Sequence, residues 1–197
     1  MKYHTIVVDP PWHYESWPSA MSAGSQYHGH GTGTAWVPDA RRKRIEYSTL
    51  TVDEIAALPV GSLAEPEGCH LYLWTTNRYL PDAFRVLSAW SFRYSQMLVW
   101  AKTPRGLGPG GTFAQNAEYC LFARRGSLKH LRRHDSVWFN WPRQGMGTHS
   151  KKPEHFIDMV EQVSPGPYVE LFSRRHRLGW DVWGDQSANT ATLEVSA

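Results

Sequence analysis

The sequence predicts an α/β fold, a mostly parallel sheet with helices on both faces, built as a single domain over residues 1–197. Three observations predict it. Segments rich in β-branched and aromatic residues alternate with segments whose apolar residues recur at helical spacing, the pattern of βαβ units. The length of 197 residues suits one substantial core rather than two. The first strand-like run, "TIVV", ends abruptly in "DPPW", and ligands in such sheets sit beyond the carboxyl ends of the strands.

The elements follow in order. Tyr3 to Val8 reads as the first strand. Residues 13–47, rich in Gly, Ser and His, read as a loop too long for an idle connection, so a working cover over a site is expected there. Thr51 with Glu54 three residues later forms a capping box opening "TVDEIAAL", which Pro59 and Gly61 are expected to stop. His70 to Thr75 is the next strand; Pro81 opens a helix whose apolar face carries Ala83, Phe84, Val86, Leu87 and Trp90. Ser95 to Lys102 and Ala117 to Ala123 read as strands, separated by a Gly-rich loop at 103–113 and followed by a loop at 126–150. Pro153 opens "KPEHFIDMVEQV", with Phe156, Ile157, Val160 and Val163 facing the core, and "SPGP" ends it before the strand Tyr168 to Phe172.

Composition narrows the function. A net charge of +3 means that affinity for a polyanion must come from local clusters, and two are present: Arg41, Arg42, Lys43 and Arg44, then Arg124, Arg125, Lys129, Arg132 and Arg133. Cys69 and Cys120 stand singly without CxxC spacing, which points to a reducing compartment, the cytoplasm, and away from a disulfide framework or a cysteine zinc site. His28 and His30 flank a glycine without cysteine or acidic partners, so no metal is expected. Neither a run of about 18 apolar residues nor a basic-then-apolar leader is present, so no membrane span or secretory signal is expected.

"DPPW" carries the chemistry. Pro10 and Pro11 fix the backbone and remove two donors, while Asp9 and the Pro10 carbonyl remain as acceptors beside an aromatic plane, Trp12. An Asp-Pro-Pro turn can end any strand, but core packing does not require the acid. An exocyclic amino group on a flat base fits: two N–H donors meet Asp9 and the Pro10 carbonyl while Trp12 stacks on the ring. Adenine is the leading candidate.

Further stretches extend the pattern: "YSTLTVDEIAALP", "LYLWTTNRYLPDAFRVLSAWSFRY", "LVWAKT", "AEYCLFARRG", "KPEHFIDMVEQVSPG", "VELFSRRH" and "WGDQ". Together they resemble the MT-A70 family of adenine-N6 methyltransferases, which includes the catalytic subunit of the eukaryotic messenger-RNA adenosine methyltransferase. The resemblance implies a Rossmann-like methyltransferase domain in permuted order, with the catalytic strand first and the cofactor strand near the C-terminus. It implies S-adenosylmethionine as cofactor, Asp9, Pro10, Pro11 and Trp12 as catalytic residues, and Asp9, Lys152, Glu170, Phe172, Arg174, His176, Asp185 and Gln186 around the cofactor. Lys152 matches the lysine that meets the methionine carboxylate. Tyr47 matches a substrate-loop tyrosine, and with Trp12 and the arginine clusters it is assigned to the substrate. Small stand-alone members resemble bacterial and phage DNA modifiers, which favours DNA over RNA, with specificity from the loops or from a homo- or heterodimer partner. Two departures stand out: Arg177 and Asp185 occupy positions where the messenger-RNA enzyme has asparagine. The competing readings are a cytosine-N4 methyltransferase, which typically has serine in place of Asp9, and a non-catalytic nucleic-acid-binding subunit of the same fold.

Overall fold

The computed structural model describes residues 1–13, 49–102, 113, 115–142, 151–185 and 188–193. Most of the predicted loops at 13–47 and 103–113, and the end of that at 126–150, lie outside these residues, as do His28, His30 and Gln186.

Seven strands form one sheet in the order β5-β3-β4-β2-β1-β6-β7: β1 Thr5–Val8, β2 Gly68–Thr75, β3 Arg93–Ala101, β4 Ala117–Gly126, β5 Trp138–Phe139, β6 Tyr168–Leu171 and β7 Trp180–Trp183. Parallel pairing joins β1 to β2 and β6, β6 to β7 and β3 to β5, whereas β4 runs antiparallel to both β2 and β3. The sheet is therefore mostly parallel, as expected, and β1 lies inside it between β2 and β6, buried at all four residues. The segment 126–150 is not loop throughout, because β5 adds a short edge strand beside Val99 and Trp100.

Helices cover both faces. On one face α1 Val52–Ala57, α2 Val60–Leu63 and α3 Leu80–Ala89 pack Ile55, Leu63, Val86 and Leu87 against Ile6, Val8 and Leu73. On the other, α4 Glu154–Val163 packs Phe156, Ile157 and Val160 against Val7, Tyr72 and Trp74. The capping box forms: Thr51 Oγ1 accepts from the Glu54 amide at 3.2 Å, and Glu54 Oε2 accepts from the Thr51 amide at 2.7 Å. Pro59 ends α1 but also stands as the cap of α2, so it joins two short helices; its missing N–H is harmless at a helix start. Phe84, expected in the core, is half-exposed and meets Tyr94 edge-on with ring centroids 5.0 Å apart. Among the described residues no helix is long and apolar enough to cross a membrane.

At the amino ends of the central strands, buried His70 is neutral and fully partnered. Its Nε2–H donates to the Leu128 carbonyl at 3.3 Å, while Nδ1 accepts from Ser164 Oγ at 2.7 Å, itself 2.8 Å from Tyr72 Oη. Burial pushes the imidazole pKa down to about 4.

A candidate active site at the carboxyl ends of the strands

β1 delivers Asp9 to the carboxyl end of the sheet, and the residues after it are held by backbone bonds rather than left as an open turn. Pro11 O accepts from Leu50 N at 2.9 Å and His13 N donates to Leu50 O at 3.1 Å, so Trp12 forms a parallel bridge to Leu50. The Pro10 carbonyl is not undonated, as the sequence suggested: the Trp12 amide bonds it at 2.9 Å, and its second lone pair is what remains for a substrate. Trp12 also differs from an open stacking platform. Its ring is buried at 5% exposure, stacked on Tyr79 with centroids 5.2 Å apart, and its Nε1 donates to the Trp74 carbonyl at 3.1 Å. A large apolar ring with a satisfied N–H gains more from burial than from presentation to water. Trp12 therefore anchors the strand exit.

Four charges converge beyond the strand ends. Lys152 Nζ donates to both Asp9 oxygens at 2.7 Å, lies 3.4 Å from Glu118 Oε2, and sits 5.2 Å from the centroid of the Trp74 ring. Glu118 also pairs with Lys102. Their side chains are largely withdrawn from solvent, at 24% exposure for Asp9, 15% for Lys152, 12% for Glu118 and 20% for Lys102. Burial pushes the Asp9 carboxyl above its ordinary value, because Lys152 offsets only part of the desolvation and Glu118 adds repulsion. Glu118 goes the other way: burial is outweighed by Lys152 and Lys102, and its pKa falls. Burial would lower Lys152, but Asp9 and Glu118 together hold its ammonium above the usual lysine range. The cation is thus locked on.

Sequence reading missed Glu118 and Lys102. The antiparallel register pairs Trp100 with Glu118 and Ala101 with Ala117, which brings Lys102 to Glu118. The available signal was a lone acid inside the apolar strand "AEYCLF", where burial of a charge demands a partner.

The predicted cofactor residues lie on the strands and turns beside Asp9. Glu170 pairs with Val7 in register, accepts from Ser173 Oγ at 3.1 Å, and has its carboxyl pushed up by burial. Phe172, directly after β6, adopts φ of 62°, a left-handed conformation rare for an aromatic residue and of the kind that clusters at ligand clamps. No glycine loop follows β6, so the strained turn supplies the sharp exit. Gly184 closes against it: a Cβ there would stand 2.7 Å from the Ser173 carbonyl oxygen. Arg174 is exposed, and its charge reaches Asp9, where with Lys152 it offsets a small part of the upward push of burial on that carboxyl. His176 is exposed on the β6–β7 connection, and Asp185 is exposed just beyond β7, at the same end of the sheet as Asp9. Gln186 lies outside the described residues.

Arg177 faces away from any cofactor role: its guanidinium grips α4, with Nη2 2.7 Å from Asp158, Nε 3.2 Å from Glu161 and Nη1 3.5 Å from Glu154. Three acids spaced by four and three residues share one helix face, which suits a single guanidinium fork.

Two of the arginines assigned to substrate, Arg124 and Arg125, are not brought to Asp9. Arg124 pairs with His70 and Arg125 with Cys69, at the amino ends of the parallel strands, and Arg125 Nη1 donates to the Gly61 carbonyl at 2.7 Å. Six residues of extended strand separate Arg124 from Glu118, about 20 Å. Arg132 and Arg133 are exposed on the segment between β4 and β5. Arg41, Arg42, Lys43, Arg44 and Tyr47 lie outside the described residues.

A Rossmann-like methyltransferase is the class that the sheet, its permuted order and the acid-lysine site define together. Residues 3–186 match the MT-A70 family model, and the chain belongs to that family. It is 29% identical over 190 residues to the type II methyltransferase M.MunI of Mycoplasma sp, covering 93% of this chain and 77% of that protein. It is 29% identical over 160 residues to the human N(6)-adenosine-methyltransferase catalytic subunit METTL3, covering 72% of this chain and 25% of that protein. The N6-methyladenosine RNA methyltransferase MTA1 of Cryphonectria parasitica is 25% identical over 198 residues, with 93% and 51% covered. The chain thus spans most of the bacterial relative but only a quarter of METTL3.

Proposed function

We propose that this chain, acting as one domain in the cytoplasm, transfers a methyl group from S-adenosylmethionine to the N6 amino group of adenine in nucleic acid, in DNA rather than RNA. Membership of the MT-A70 family and the methyltransferase relatives support the adenine-N6 reaction. The match to a bacterial type II methyltransferase, over 93% of this chain and 77% of that protein, supports DNA. The observation that carries the reading is the Asp9 carboxylate held at the end of β1 by Lys152 and backed by Glu118.

The residues present fit S-adenosylmethionine. Lys152 is kept cationic in a buried position, which suits a carboxylate ligand, and the carboxyls of Glu170 on β6 and Asp185 just beyond β7 are available for hydroxyl or ammonium groups. Arg174, His176, Phe172 and Gln186 complete the proposed set. When bound, S-adenosylmethionine supplies an electrophilic methyl on a sulfonium. Everything else is positioning by the chain. A carboxylate offers about four lone-pair sites, so Asp9 can keep Lys152 and still accept an N–H from the adenine amino group. The second lone pair of the Pro10 carbonyl takes the other N–H. Accepting both draws the amino nitrogen out of conjugation with the ring and stabilises positive charge growing on it. Trp12 and the Leu50 bridge hold these two acceptors rigid. Target choice is assigned to the loops at 13–47, 103–113 and 126–150, or to a partner subunit.

A labelled-methyl assay on single- and double-stranded DNA and on RNA, followed by nucleoside digestion, tests this. N6-methyladenine is expected from the wild type, and Asp9→Ala should lower the rate at least about a hundredfold, comparable with losing one transition-state hydrogen-bonding group. An unchanged rate in that variant rejects the mechanism, and N4-methylcytosine as product rejects the substrate. Nucleic-acid binding with no transfer to any substrate favours a scaffold.

A further inference from the structure

The second basic cluster, remote from Asp9, shares its surface with an aromatic ring that the fold does not use. From Lys129 to Trp138 every residue is exposed, including Leu131, Val137 and Trp138 at 61%, 44% and 56%. Three cations stand on this segment, Lys129, Arg132 and Arg133, and none of them enters an ion pair among the described residues. His130 and His134 lie between and beside them.

The segment is tied at both ends. Leu131 N donates to the Val163 carbonyl at 2.8 Å, at the end of α4, and Val99 N donates to the Val137 carbonyl at 2.8 Å, at the start of β5. Ser136 Oγ accepts from Trp138 N at 3.1 Å and donates to the Trp138 carbonyl at 2.7 Å. In a strand successive side chains point to opposite faces. Phe139 therefore turns inward to stack on Trp141, with centroids 4.1 Å apart, and Trp138 turns outward on the sheet's edge strand. Pairing with Val99, itself opposite Tyr119, sets Trp138 level with the end of β2, beside the strand ends that carry the candidate active site. Four strand spacings separate β5 from β1, roughly 19 Å. That is less than one turn of duplex, about 34 Å.

We infer that Lys129 to Trp138 is a track for the sugar-phosphate backbone of the nucleic-acid substrate, with Trp138 the stacking platform for an unpaired base flanking the target adenine. The inference rests on the nucleic-acid reading above. Cations spaced along an exposed segment can meet successive phosphates, and an exposed aromatic plane beside them accepts any base by its face. Lys129, Arg132 and Arg133 repel a second copy of the same surface across a two-fold axis, which leaves a polyanion as the fitting partner.

The test uses the full chain and fluorescence anisotropy of a labelled single-stranded oligonucleotide containing adenine, across a salt series. Trp138→Ala should weaken binding about tenfold, the loss of one base-stacking contact, while Trp138→Phe restores most of it. The double variant Arg132→Ala/Arg133→Ala should reduce the slope of log affinity against log salt by about 1.4, two phosphates on a single strand. Calorimetric binding of S-adenosylmethionine should be the same in all three. Wild-type affinity in Trp138→Ala overturns the platform, and an unchanged salt slope in the arginine variant overturns the track. A change in oligomeric size caused by Trp138→Ala also overturns it, because the ring would then be covering another copy. The two readings fail separately. A wild type that methylates adenine while Trp138→Ala keeps its KM sinks this inference alone, whereas Trp138-dependent oligonucleotide binding without methyl transfer sinks the activity alone.

Discussion

The two ends of the sheet treat polarity in opposite ways. At the carboxyl ends, Asp9, Glu118, Lys102 and Lys152 are drawn out of water as charges and hold one another. At the amino ends, the buried trio His70, Ser164 and Tyr72 is neutral, and the cations Arg124 and Lys129 stay on the surface. A neutral, fully bonded network is tolerated in a core, whereas each buried ion costs several kcal/mol before its partners return any of it. The difference teaches where, among the described residues, the fold accepts that expense: around Asp9, the acid proposed for catalysis. Stability alone would have favoured the neutral solution at both ends.

Lys152→Met should break this comparison most severely. It leaves Asp9 without its ion-pair partner and Glu118 with Lys102 alone, and breaking a buried pair costs about 3 kcal/mol or more. For a chain of this size, that lowers Tm by roughly 10 °C. The same substitution removes the charge that restrains Asp9, so its pKa rises further and the acid limb of methyl transfer moves to higher pH. Glu118→Gln, which removes a like charge, moves that limb to lower pH. Thermal unfolding and the pH profile of kcat measure both; an unaltered Tm with opposite or absent limb shifts would show that the four charges do not act as a unit.

How much of this contrast could be read beforehand depends on the range of the interaction. The Thr51–Glu54 box, Pro81 and Pro153 as helix openers, and the apolar runs of β1, β2, β3, β4 and β6 are local signals, and they were legible. Asp9 and Lys152 were each singled out by the motifs around them, for separate roles, and their 2.7 Å contact was not foreseen. Pro59 was read as a stop because the α2 segment "VGSL" is too short to show a helical period. β5 and β7 have two and four residues and carry no alternation to detect. The partnership of Glu118 with Lys102 depends on β4 inserting antiparallel between β2 and β3, a pairing set by tertiary register. Arg124 and Arg125 were assigned to the substrate because they are basic; the antiparallel direction of β4, which turns its carboxyl end away from Asp9, is set by tertiary pairing.

The neutral end gives the next largest effect. His70 has a folded pKa of about 4 against an unfolded value near 6.5, so the unfolded chain takes up its proton first as pH falls. The stability contributed by the neutral imidazole is complete above about pH 6.5 and is lost progressively down to about pH 4. Wild-type Tm should therefore fall between pH 7 and pH 5, and His70→Gln, less stable at pH 7, should show a flatter dependence. Parallel pH profiles for the two proteins would remove His70 from the account of acid sensitivity.

Arg177→Ala should have the smallest effect, and for that reason it sharpens the contrast. The guanidinium is one-quarter exposed and its partners Asp158 and Glu161 are more so, which makes this clasp a screened surface network rather than a second buried charge site. Its removal leaves Glu154 with Lys151 and Arg175, and Glu161 with the Trp180 indole N–H at 2.7 Å, so only Asp158 loses its partner. A loss of about 1 kcal/mol or less is expected, with a Tm shift of roughly 2 to 4 °C that shrinks in high salt. The connection from β6 to β7 passes along α4 through this clasp, so the affinity for S-adenosylmethionine, measured calorimetrically, reports whether the turn carrying Phe172 and Arg174 has shifted. A stability loss of several kcal/mol that salt does not reduce would place Arg177 among the buried charges, and the division between the two ends of the sheet would no longer describe where this fold keeps them.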